Sequence, residues 1–131
     1  MEQQQIMQIQ MMEQESQQLN QQIQYIEQNI IEMHELGLGL DEISKEESNE
    51  ILASLGKGIY IPVEIKDKKL IVEIGKKNFV KKTIPETKEI IQQQLIKLIG
   101  AKDQILERLE VLHKEIEGMM KIIEQEAPEK K

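Results

Sequence analysis

The stretch from Ile91 to Ile123 constrains this chain more than any other. Ile91, Leu95, Leu98, Lys102, Ile105, Leu109, Leu112, Ile116, Met119 and Ile123 follow one another at alternating spacings of four and three, and only Lys102 breaks the apolar series. Residues three and four apart share one face of an α-helix, so this is a heptad seam that must bury itself against another helix. Ile99, Leu106 and Met120 widen the stripe, as on a helix facing more than one neighbour. Pro85 suits a first helical turn, and Glu86 and Glu89 lie near the positive end of the helix dipole. The spacing therefore predicts a helix over 85–125, ended by Ala127-Pro128 and followed by a charged tail at 126–131.

A second seam lies near the N-terminus. Ile9, Met12, Ser16, Leu19, Ile23, Ile26, Ile30 and Met33 have the same spacing, interrupted only by Ser16, and predict a helix over 5–36. Twelve glutamines in the first 28 residues keep its outer face polar without adding charge. Gly37 and Gly39 predict its end, because glycine is costly inside a helix and favoured just past one. Residues 37–49 then read as an acidic connector, in which Ser44 and Glu47 have the spacing of a capping box.

Between the seams the period changes from helical to two. IYIPVEI alternates Ile59, Ile61, Val63 and Ile65 with Tyr60, Pro62 and Glu64, and KLIVEIG does the same with Leu70, Val72 and Ile74. EILASL and NFVKKTI, the latter carrying Val80, read as shorter strands, and LGKG, KDKK and GKKN have turn compositions. Residues 50–84 are thus expected to form two β-hairpins. Pro62 cannot donate to a ladder, which puts its strand at an edge or a bulge. Two such hairpins bury little alone, so they are expected to pair with other subunits. The whole is an α+β chain in one domain: a long antiparallel coiled-coil hairpin with two small β-hairpins at its base, both chain ends meeting at the far tip.

Composition narrows the function. With no cysteine, thiolate chemistry and disulfides are excluded; with three aromatic residues, no large globular core can form. No apolar run approaches the roughly 20 residues of a membrane span, and the N-terminus has no basic-then-apolar leader, so a cytoplasmic protein without membrane partners is expected. The net charge of −7 argues against nucleic acid as a partner. Residues 1–50 sum to −10, 51–88 to +5 and 89–131 to −2, and the central lysines suit solvated strands whose edges they blunt. His34 and His113 fall on distant parts of the two helices, too far apart for a shared metal or proton relay. GLGLDE lacks the third glycine of a dinucleotide loop, and LGKG lacks P-loop spacing. Carboxylate pairs such as Glu46-Glu47 and Glu115-Glu117 have no apolar cavity to perturb them. No enzyme, cofactor or metal is expected.

The segment LGKGIYIPVEIKDKKLIVEIGKKNFVKKTIPETKEII, flanked by the two seams, resembles prefoldin subunits, in particular the α-class. The resemblance rests on Leu55-Gly56, Gly58, Tyr60, Ile61, Pro62, Val72, Ile74-Gly75, Phe79-Val80 and Lys82, and on four strands rather than two. Lys77 departs from it, standing where many relatives have a second glycine. It implies an ATP-independent holdase, a hexamer of two α-class and four β-class subunits whose hairpins form an oligomeric β-barrel. Its coiled-coil tips hold unfolded proteins and pass them to a group II chaperonin. Ile59, Ile61, Val63, Ile65, Leu70, Val72, Ile74 and Val80 are then the expected assembly residues. A structural adaptor or a filament former remains the alternative.

In an antiparallel helical hairpin Met7, Met11 and Met12 come near Met119 and Met120, so with Met1 six of the seven methionines gather at one end. Methionine is flexible and polarisable and suits surfaces that accept many shapes. Ile6, Met7, Ile9, Met11, Met12, Ile116, Met119, Met120, Ile122 and Ile123 are the candidate client-binding residues. Met12 and Met119 also fill seam positions, whereas Ile6, Met7, Met11, Met120 and Ile122 lie off the seam, where a helix–helix core explains them less well.

Overall fold

A computed structural model describes residues 2–45 and 49–126. The element order is α1 (Glu2–Lys45), β1 (Glu50–Gly56), β2 (Ile59–Glu64), β3 (Leu70–Gly75), β4 (Asn78–Lys82) and α2 (Ile84–Glu126). They divide into two compact units. Residues up to Ile30 with those from Ile96 onward form a helical unit, and Ile31–Leu95 form a mixed unit that holds both hairpins.

In the helical unit both predicted seams face inward. Ile9, Ile23, Leu109 and Leu112 are buried, and Met12, Leu19, Ile26, Leu98, Ile105, Ile116, Met119 and Ile123 are half-buried. Leu112 is 0 % exposed, and complete burial of a leucine side chain contributes about 1.5–3 kcal/mol. Two cross-helix ion pairs make the pairing antiparallel. Arg108 grips Glu15 through Nε (3.0 Å) and Nη2 (3.3 Å), while Lys102 Nζ reaches Glu27 at 3.5 Å. Lys102 thus covers the seam with its stem and carries its ammonium to the rim. Ser16, the other interruption, is buried within the seam.

In the mixed unit α1 runs on through LGLGL to Lys45, so the predicted stop at Gly37 is corrected. Neither Gly37 nor Gly39 has a left-handed backbone. The seam decides this, because its 3-4 spacing continues from Met33 through Gly37 to Leu40. Leu40 forms a buried core with Ile84 and Ile91, joined by Met33, Ile43, Leu70 and Leu95. Stopping at Gly37 would forfeit that burial, which outweighs about 1 kcal/mol of propensity per glycine. Lys88 pairs with Asp41 across the same helices and, chiefly by hydrogen bonding, lowers the Asp41 pKa. Ser44 is therefore inside the helix, and its expected capping partner Glu47 lies outside the described residues, as does the tail from Ala127.

The capping box occurs instead at α2. The Thr83 N–H and hydroxyl each donate to Glu86 Oε1 at 2.9 Å, and the Glu86 N–H donates to Thr83 Oγ1 at 3.2 Å. Ile84, read from sequence as the end of a strand, is buried in the first turn of α2, and β4 stops at Lys82.

β1 pairs with β2 and β3 with β4, both antiparallel, giving two separate two-stranded sheets. Their loops are Lys57-Gly58 and Lys76-Lys77, all four residues at positive φ, the type I′ pattern that matches strand twist. Each hairpin has a register shift just before its loop, between Ser54 and Gly56 and between Glu73 and Gly75. The Ile65 N–H donates to the Asn49 carbonyl at 2.6 Å, next to the Glu50–Glu64 pair. Hydrogen-bonded pairs alternate along an antiparallel ladder, so Leu52–Pro62 is a non-bonded pair with the proline nitrogen outward. Pro62 costs the hairpin no bond and removes a donor from its outer edge.

Candidate functional site

Two groups of exposed apolar side chains stand out, one in each unit. In the helical unit the group lies where the start of α1 runs beside the end of α2, beyond the Glu15–Arg108 pair. Ile6, Met7, Met11, Met120 and Ile122 are exposed there, Met7 by 61 % and Met11 by 67 %. Ile9 is buried, and Met12, Ile116, Met119 and Ile123 are half-buried in the seam. The ten candidates therefore separate into an outward set and an inward set that supports it. Met11 and Met12 also line a shallow concavity with Gln8, Gln14, Gln18, Glu15, Arg108 and Glu115. Gln5 continues the seam outward, and its amide oxygen is buried with no hydrogen-bond partner among the described residues. An unmet acceptor at this position weakens the closure of the last turns.

In the mixed unit the apolar strand residues cover both faces of both hairpins. Of those expected on one face, Ile59, Ile61 and Ile74 are exposed, and Val63, Ile65, Val72 and Val80 are half-buried. Leu70 differs, because it packs on the Leu40–Ile84–Ile91 core of its own chain. The opposite faces carry Leu52, Tyr60, Ile71 and Phe79, with Leu55 beside the first loop, all exposed; Ile71 reaches 70 %. Period-two reading assigned one apolar face per hairpin, and it missed these five as surface residues. The signal was present in Tyr60 and Phe79, since an aromatic on the supposedly solvated face of a strand asks for cover. A two-stranded sheet with apolar groups on both faces leaves them in water when the chain is alone, and it is marginal without cover.

Among the described residues, no cluster of His, Cys, Asp or Glu with metal-ligand placement is found in either unit. His34 belongs to the mixed unit and His113 to the helical one. No helix among the described residues is long and apolar enough to cross a membrane.

Comparison with known proteins bears on the family and the fold. A family model described as prefoldin subunit matches residues 3–129. Among solved structures, the filamentous PFD of Methanocaldococcus jannaschii, determined by cryo-electron microscopy, is similar with a TM-score of 0.75. That likeness covers 86 % of this chain and 94 % of the other at 14 % identity, a likeness of fold. The comparison with curated protein sequences gives no match.

Proposed function

The chain belongs to the prefoldin family, a family of non-enzymatic chaperones, and from that membership we propose that it is a subunit of an ATP-independent holdase. In this reading the end of the helical unit takes hold of apolar segments of unfolded proteins. The hairpins join it to other subunits, with two α-class and four β-class chains closing a β-barrel. Clients pass from the tips to a group II chaperonin in the cytoplasm.

The observation that carries the reading is the exposed, off-seam set Ile6, Met7, Met11, Met120 and Ile122. These side chains have no partner in a two-helix seam, and methionine accepts clients of many shapes. Each contact is weak, and several ends on one assembly raise the effective affinity by multivalency. Release then needs only a competing partner.

The test is light scattering of a chemically unfolded client diluted without ATP into the complete assembly. Met7→Ser, Met11→Ser and Met120→Ser together should abolish most of the suppression of aggregation while the assembly keeps its mass. Unchanged suppression would return these residues to ordinary helix surface. A second reading, a filament-forming subunit, is favoured by the similarity to a filamentous relative. It predicts open-ended polymers of this chain alone in negative-stain images, where the first reading predicts closed particles.

A further inference from the structure

The charge of this chain is divided in a way that assembly must respect. The β3–β4 hairpin, residues 70–82, holds Lys76, Lys77, Lys81 and Lys82 against one acid, Glu73, for a net charge of +3. The β1–β2 hairpin, residues 50–64, holds Glu50, Lys57 and Glu64, for −1. The whole chain stands at −7. Lys76 and Lys77 form the loop and Lys81 is exposed on β4, directly opposite Ile71 in the register. None of these three makes an ion pair with the described residues.

Those lysines ring an apolar surface that needs cover. Ile71 and Phe79 stand out on the face that Lys81 shares, and Ile74 on the other. A second copy of this hairpin docking there would bring three unpaired ammonium groups against three more. Like charges at an interface are a device against the wrong partner. We propose that the β3–β4 hairpin is a charge-selected docking surface for a β-hairpin of a different chain that presents carboxylates, and that it rejects a second copy of itself. The inference rests on the hairpins being the assembly surface, and it adds which partner the second hairpin admits. Contact between identical chains is left to the nearly neutral β1–β2 hairpin.

The full-length chain with Lys76→Glu, Lys77→Glu and Lys81→Glu serves as the acidic partner. All three positions are exposed, so the fold is retained, and circular dichroism checks this. Wild type and variant, each carrying a different mass tag, are mixed at 50 mM and 500 mM NaCl and counted by native mass spectrometry. Mixed pairs should exceed both homotypic pairs by about tenfold at low salt, and the preference should collapse at high salt. Overall charge alone would make the wild-type pair the least repelled and place the mixed pair between the two homotypic ones, because the variant is more negative than the wild type. An arginine version of the same three positions should mix statistically with wild type. Statistical mixing of the glutamate variant, a preference for like with like, or no association in any mixture would overturn the proposal. If mixing is statistical while Ile61→Asp still breaks the assembly, charge selection fails and the assembly surface stands. If Ile61→Asp also leaves the assembly intact, both fail.

Discussion

Replacing Gly37 by alanine tests the least expected element of the fold, the passage of α1 through LGLGL. Gly37 is half-buried, its backbone is not left-handed, and a Cβ built on it meets nothing within 4 Å. It opens into a cavity of about 180 Å³ lined by Met33, Leu38, Ile91 and Leu95 among others. Alanine should gain about 1 kcal/mol in helix propensity, and the added methyl, partly buried, a few tenths more. The expected sum is a stabilisation of about 1–1.5 kcal/mol, or about 3–6 °C in Tm for a chain of this size. Urea unfolding followed by circular dichroism measures it, with protein concentration held fixed because association shifts apparent stability. The opposite conformation predicts the opposite sign. If Gly37 were the left-handed cap that its sequence suggests, alanine would cost about 1 kcal/mol. A destabilised Gly37→Ala would therefore refute the continuous helix and the placement of Leu40 in the core.

Leu112→Ala, at the one fully buried large side chain described, should cost about 3 kcal/mol in the same assay. Thr83→Ala should cost about 1 kcal/mol by removing the α2 cap. Hydrogen bonds from the Thr83 N–H and hydroxyl hold the Glu86 pKa below its ordinary value of 4.5. The stability gained from the Glu86 charge is then complete above about pH 4.5 and lost as the pH falls through the lower folded value, so the gap between wild type and Glu86→Gln should close on acidification. Lys76→Asn with Lys77→Gly should stabilise the second hairpin by about 1 kcal/mol, because both lysines now hold left-handed conformations, seen as a raised unfolding midpoint. Gln5→Leu should gain about 1 kcal/mol by removing a buried acceptor without a partner, and hydrogen exchange should slow over the first turns of α1.

Much of this protein was legible in the order of its residues, since period and spacing are local properties. The 4-3 series named the buried and half-buried apolar residues of both helices in the helical unit, though not Gln5, and Lys102 and Ser16 stayed in register because the neighbouring apolar residues held the helix in place. The changes to period two and the turn compositions located both hairpins to within a residue or two. The off-seam methionines were readable as outward-facing for the same reason. Tertiary structure decided what local signals left in conflict. Glycine at 37 and 39 argued for a stop, and only the burial of Leu40 against Ile84 and Ile91, residues distant in sequence, overrode it. The same core drew Leu70 inward from the strand surface and placed the cap of α2 at Thr83 rather than a cap at Ser44. Register, too, belongs to the fold, for only the pairing of β3 with β4 sets Lys81 beside Ile71. A sequence carries propensities of about 1 kcal/mol per residue; burial of several side chains together exceeds them, and which side chains meet is set by packing.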